Sequence, residues 1–181
     1  MIRKTAKEIL AEAFREVAQN KSIDKITIKD IVDNCGYSPA TFYRNFKDKY
    51  DLIVWEHTRG VAKIMGMIDN YYTWKQAMID AAEWYNTEKV YFANLFQHTS
   101  GQDSFIRYMT EISCDAVKKH ILASGNKEKL TGQEELFVRT YCLGTVNLTC
   151  EWILGMHDAK QEEIADIYVN SLPVPLYRYL T

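Results

Sequence analysis

Between Cys35 and Ile53 the chain reads CGYSPATFYRNFKDKYDLI. The polar groups spaced through it suit a polyanion. Thr41 offers a hydroxyl and a methyl, which fit a phosphate oxygen or a thymine edge, and Arg44 can bond guanine in a bidentate way or hold a phosphate. Tyr43 places a phenol beside the backbone. Lys49 stands at a helix start, where backbone N–H groups and an ammonium together favour phosphate. Thr27 reads first as a helix cap, although a cap at a helix start can also touch phosphate. Plainer roles are open to each: Tyr43 as a half-buried aromatic, Arg44 and Lys49 as solvated charges.

Two helices must position these groups. Thr27 caps the first, with Asp30 three residues on, and Ile28, Ile31 and Val32 face inward until about Asn34. Gly36 can take the turn that closes it. Ser38 caps the second and Pro39 occupies its first position, so the helix runs from Pro39 to about Asn45. Phe42 and Phe46 lie four apart toward the core, which leaves Ser38, Ala40, Thr41 and Arg44 projecting away. Such a pair is a helix-turn-helix, whose second helix enters the major groove by its N-terminal end. Ahead of it, Ala6, Ile9, Leu10, Ala13, Phe14 and Val17 mark a first helix from about Arg3 to Asn20.

Prolines stand only at 39, 173 and 175, so the rest of the 181 residues also reads as helix. The expected segments are Lys49–Asp69, Thr73–Asn86, Glu88–His98, Asp103–Ala123, Gly132–Gly155 and Lys160–Leu172. The fold class is all-α with about nine helices: a helix-turn-helix domain over 1–48 and a helical effector-binding and dimerisation domain over 49–181. Residues 1–50 carry a net charge of +3 and the remainder −5, which fits a nucleic-acid module joined to something that is not one. No apolar run approaches 18 residues and the charged N-terminus has no signal-peptide core, so the cytoplasm is the expected location, with no membrane partner. Cys35, Cys114, Cys142 and Cys150 form no metal or redox motif and are expected as free thiols. His98, His120 and His157 are not spaced to chelate, so neither a metal nor another cofactor is expected. The absence of HExxH, GxSxG and GxxxxGK[ST] argues against an enzyme.

Residues 5–53, AKEILAEAFREVAQNKSIDKITIKDIVDNCGYSPATFYRNFKDKYDLI from Ala6 on, resemble the DNA-binding domain of the TetR family of bacterial transcription regulators. Thr27, Ile31, Gly36, Thr41, Phe42, Tyr43, Phe46, Lys49 and Leu52 carry the pattern. The resemblance implies DNA contacts from Ser38, Thr41, Tyr43, Asn45 and Lys49, with Arg44 near a base or phosphate; Thr27 and Pro39, at the two helix starts, complete the candidate set. Asn45 replaces the histidine common at its position. The chain also looks like the branch that includes regulators of dihydroxyacetone kinase operons, some of which are activators that answer to a protein partner.

The resemblance further implies a homodimer on a palindromic operator, paired through the last two long helices. Tyr141, Gly144, Leu148 and Trp152, with Ile164, Ile167 and Tyr168, are the candidate interface, the alternative being ordinary intrachain core. Aromatic and Met residues crowd the middle helices, where they either fill a core or line an apolar pocket. Trp84, Tyr85, Phe92, Phe96, Tyr108 and Met109 are the candidate walls for a small apolar or aromatic effector. The function expected is a sequence-specific DNA-binding regulator, a repressor released by an effector. The alternative is an activator or helical adaptor controlled by a protein partner.

Overall fold

Side-chain caps divide the chain into helices. Thr5 and Glu8 exchange bonds as a capping box, Thr5 N–H donating to Glu8 at 2.7 Å, and start α1, Ala6–Ala18. Thr27 and Asp30 do the same at the start of α2, Ile28–Cys35, so the shorter aspartate closes the box as a glutamate would. Gly36, at φ +72°, ends α2, and Tyr37 N–H reaches back to the Val32 carbonyl at 3.0 Å. Ser38 Oγ then accepts from Thr41 N–H to start α3, Pro39–Asn45.

The computed structural model describes residues 4–68, 72–101 and 104–180. The remaining helices are α4 (Lys49–Met65), α5 (Trp74–Thr87), α6 (Lys89–His98), α7 (Phe105–Ser124), α8 (Gly132–Ile153), α9 (Gln161–Asn170) and a single turn, α10 (Tyr177–Leu180). The fold is all-α among the described residues, with that last turn added to the nine helices expected. The expected helix ends at Arg3, Asp69 and Asp103 lie outside the described residues.

One buried cluster runs from Leu10, Phe14, Ile31, Phe42 and Phe46 through Leu52 and Ile53 of α4 into Tyr85, Phe92, Phe105 and Tyr168. A smaller one gathers Trp74, Cys114, Ile121, Val138, Cys142 and Leu176. In the second half α5 packs along α9, α7 along α8, and α4 along α7.

Polar ties reinforce the first cluster. Asn94 of α6 accepts from Ile23 N–H at 3.0 Å and donates to the carbonyls of Ala18 and Lys21 at 2.8 and 2.9 Å. Arg15 of α1 meets Glu56 of α4 at 2.9 Å and Glu88 at 3.3 Å, and Tyr91 of α6 donates to Glu56 at 2.8 Å.

His57 of α4 lies fully inside this region, stacked on Trp84 at 5.3 Å and edge-on to Phe105 at 5.0 Å. Neither ring nitrogen has a hydrogen-bond partner among the described residues. Burial depresses its pKa from 6.5 to about 3, so the folded chain refuses a proton that the unfolded chain accepts. The neutral ring's contribution is therefore complete above pH 6.5 and is lost as pH falls toward about 3, by up to about 1.4 kcal/mol per pH unit. Glu56, whose pKa burial raises, faces the same region and works in the opposite sense. Replacing His57 with Phe should flatten the fall in stability between pH 6.5 and 3, read from urea unfolding at a series of pH values.

Candidate nucleic-acid interface and regulatory cavity

With Phe42 buried against the core, α3 turns Ser38, Pro39, Ala40, Tyr43 and Arg44 to solvent, and Thr41 and Asn45 lie half-buried at the edge of that face. Tyr43 is 61% exposed; its ring leans edge-on against Phe42, so the phenol projects outward from a fixed base. Arg44 donates to Thr41 Oγ1 at 3.0 Å and Asn45 donates to the Thr41 carbonyl at 2.8 Å. These bonds preorganise donors on one short exposed helix. Six of the eight candidate residues thus share a surface.

Thr27 and Lys49 are employed differently. The Thr27 hydroxyl is held within the capping box, donating to Asp30 at 2.7 Å. The Lys49 ammonium turns inward and donates to the carbonyls of Ile23, Asp24 and Ile26 at 2.7, 3.0 and 2.9 Å. Burial lowers its pKa, with the charge of Asp24 opposing. The free N–H groups expected beside it are taken as well, because the Asp48 carboxylate caps α4 by accepting from Tyr50 and Asp51 at 2.9 Å. Lys49 is therefore spent on the backbone of the turn before α2. Lys47, which the sequence pattern did not single out, is the exposed cation beside the end of α3.

Between α4, α5, α7, α8 and α9 lies a cavity of ≈ 80 Å³, walled by Trp84, Tyr85, Met109, Met78, Tyr141 and Tyr168 among others. Three of the six candidate wall residues are there: Trp84, Tyr85 and Met109. Phe92 lines a separate, smaller gap beside His57. Phe96 packs on Phe105 at 5.4 Å in the core, and Tyr108 faces an open groove between α4 and α7. The aromatic pattern could not separate these cases because cavity and core demand the same residue types. The described lining carries no charged side chain. Its hydroxyls are largely committed: Tyr141 donates to the Tyr168 carbonyl at 2.7 Å, and Thr149 and the Tyr168 phenol bond each other.

Trp84 joins the cavity to α4. Its indole occupies the space where Gly60 has no side chain; a Cβ there would lie 2.3 Å from the ring. Gly60, like Asn94 and His57, was missed in the sequence. The i, i+4 register of Ile53, His57 and Val61 was the available signal for His57.

Of the candidate interface residues, Tyr141, Trp152, Ile164 and Tyr168 are buried within the chain and Leu148 is half-buried. Trp152 Nε1–H, for example, donates to the Ala159 carbonyl at 2.8 Å. Gly144 and Ile167 are exposed, Ile167 by 45%. The outward stripe of α8 is instead Leu136, 69% exposed, Leu143, 40%, and Gly144.

An exposed helix after a glycine turn, carried on an α-helical bundle, has the geometry of a helix-turn-helix. Residues 9–54 match the profile of the tetR family of bacterial regulatory proteins, and residues 72–173, more than half the chain, match a transcriptional regulator C-terminal region. The chain belongs to the TetR family of DNA-binding transcriptional regulators. It is similar to the HTH-type dhaKLM operon transcriptional activator DhaS of Lactococcus lactis subsp. lactis (strain IL1403), with 21% identity over 110 residues. That alignment covers 61% of this chain and spans 59% of the relative's length. The solved dihydroxyacetone kinase operon activator DhaS superposes with a TM-score of 0.69 at 17% identity, over 97% of this chain and 98% of that one. A TetR transcriptional regulator from Rhodococcus sp. RHA1 gives a TM-score of 0.66 at 17% identity, over 95% and 97%. At these identities the superpositions establish the fold. No described helix is long and apolar enough to cross a membrane.

The two lysines should separate on substitution. Lys49→Ala leaves three carbonyls without their donor and should cost about 1–2 kcal/mol of stability, partly screened by solvent. Lys47→Ala should leave the melting temperature unchanged and flatten the salt dependence of DNA binding by about one unit of slope. Thermal melts and binding isotherms at several salt concentrations measure both.

Proposed function

We propose that the chain acts as a homodimer that places α3 of each subunit in successive major grooves of a palindromic operator. Thr41 and Arg44, with Asn45, read base edges; Ser38, Tyr43 and Lys47 hold phosphates. Pro39 starts α3 in the orientation this requires. Thr27 and Lys49 support the interface from behind by fixing the turn that carries α2. The exposed stripe of Leu136, Leu143 and Gly144 on α8, with Ile167 on α9, is the surface we assign to the second copy.

Control is exerted through α4. The observation that carries this reading is the seat of Trp84 between the cavity and Gly60. An occupant that displaces the indole must shift α4, and α4 begins at Lys49, directly after the DNA-facing helix. The uncharged lining selects a neutral, apolar or aromatic compound, since a buried unpaired charge is costly. The ligand acts only through unequal affinity for the two settings of α4. In the commoner arrangement such an effector releases a repressor.

A second reading has a specific support. The cavity, at ≈ 80 Å³, is far below the roughly 300–1,000 Å³ of small-molecule sites. Control by a protein partner, with the chain as an activator, needs no such opening, and the lactococcal relative is itself described as an activator.

The test is titration of the purified chain against the DNA upstream of its own gene and against an unrelated duplex, with a reporter fused to that promoter. Tight binding to the upstream DNA alone, with reporter output rising on deletion of the gene, supports the repressor; output falling supports the activator. Gly60→Ala should change specific affinity by about fivefold or more while leaving the salt slope unchanged. Equal affinity in wild type and variant would remove Trp84 from the mechanism.

A further inference from the structure

Trp84 stands between two voids. It walls the cavity among α4, α5, α7, α8 and α9, and it also walls the gap of ≈ 10 Å³ beside His57. Among the described residues it is the one side chain that the two linings share. Its indole stacks on the His57 ring at 5.3 Å and 17°, and lies against Gly60 one turn further along α4. The neighbouring rings of Tyr85, Phe92 and Phe105 are buried, whereas Trp84 is half-buried, so it is the least confined ring of the group.

His57 is the unexplained group on this wall. Both its nitrogens are buried without a hydrogen-bond partner among the described residues. The other polar side chains of the gap are committed to one another: Arg15 to Glu56 at 2.9 Å and to Glu88 at 3.3 Å, and Tyr91 to Glu56 at 2.8 Å. Native proteins seldom leave a buried polar group unpaired, and the exceptions mark strained, wet or functional places. The gap sits at the lower limit of about 10–15 Å³ for holding one water.

We propose that Trp84 is a gate: turned aside, it joins the cavity to the gap and makes one site for a neutral apolar compound whose hydroxyl bonds His57. Turning the indole away removes the partition and adds the space the ring now fills. The joined site runs from the uncharged lining of Met78, Met109 and Tyr141 to an imidazole at its end. It reaches a useful size only when occupied, which reconciles a small closed cavity with a small-molecule ligand. At pH 7 the ring is neutral, burial having pushed its pKa down to about 3. A neutral imidazole carries one N–H donor and one bare acceptor nitrogen, and a hydroxyl can pair with either. An ionic ligand is disfavoured, because Arg15, Glu56 and Glu88 already answer one another and leave no charge to balance it. The effect of such a ligand on DNA rests on the control through α4 proposed above; its binding does not.

The test compares 2-naphthol with naphthalene, the same rings without the hydroxyl, by calorimetric titration of the full-length chain at pH 7. Wild type should bind 2-naphthol about fivefold to tenfold more tightly. His57→Phe keeps a ring in the stack and should abolish that preference. Trp84→Ala and, independently, Gly60→Ala should tighten both compounds, since each displaces or removes the indole beforehand. All variants are checked for fold by circular dichroism. Nitrogen-15 spectra of the imidazoles should show one of the chain's four histidines shifting with 2-naphthol and not with naphthalene, and its signal should be missing in His57→Phe. Naphthalene binding as tightly as 2-naphthol, a preference that survives His57→Phe, or no binding of either compound to wild type and Trp84→Ala overturns the proposal. Where the site behaves as expected, 2-naphthol should also change specific operator affinity by about fivefold or more. Binding through His57 with no change at the operator defeats control through α4 and leaves the site standing.

Discussion

The backbone between α1 and α2 has to be paired, and much of the architecture follows from how that is done. Residues 18 to 26 turn through a short 3₁₀ segment that leaves several carbonyls and one N–H group facing neighbouring helices. A buried backbone group without a partner costs about 1–3 kcal/mol. Lys49, from the first turn of α4, covers three of these carbonyls, and Asn94 of α6 covers two more and accepts the Ile23 N–H. The turn is thereby bolted to α4 and α6 together. The helix-turn-helix rests on it, with Ile23, Ile26 and Ile31 buried directly beneath. The exposed face of α3 can be a defined surface because the element behind it has no freedom left.

The same economy governs α4. Its first turn holds the turn that carries the helix-turn-helix, its middle carries Glu56 and His57 into a polar and aromatic junction with α1, α5 and α6, and Gly60 receives Trp84. Interfaces of this density admit a few discrete arrangements instead of a continuum. Any displacement of α4, whatever signal causes it, is felt both at Lys49 and at the Arg15–Glu56–Tyr91 group. The cavity beyond Trp84 is small and uncharged, and the hydroxyls of Tyr141, Thr149 and Tyr168 on its wall are already bonded.

The long helices of the second half show why burial has to be read from a structure. On α8, Tyr141, Val146 and Trp152 turn inward while Leu136 and Leu143 turn out. The inward set is larger and more aromatic, which is why it drew attention as an interface. Size and hydrophobicity identify a residue that will be covered; they do not say by which chain.

From sequence alone, the all-α class, the order of the helices to within a few residues, the helix-turn-helix and the polar face of α3 could be determined. These depend on local rules: caps at Thr27 and Ser38, a positive φ at Gly36, and the spacing of Phe42 and Phe46. The family was legible for the same reason, since its pattern lies in that contiguous stretch. Tertiary structure decided what depends on partners distant in the chain. Lys49 looks like a phosphate ligand until three carbonyls 23 to 26 positions earlier are folded onto it. Asn94 is an unremarked polar residue until it meets Ala18, Lys21 and Ile23. Gly60 acquires meaning only from an indole 24 residues away. Local preference specifies each helix, but a side chain's task is set by the unpaired group or open space that long-range packing places beside it.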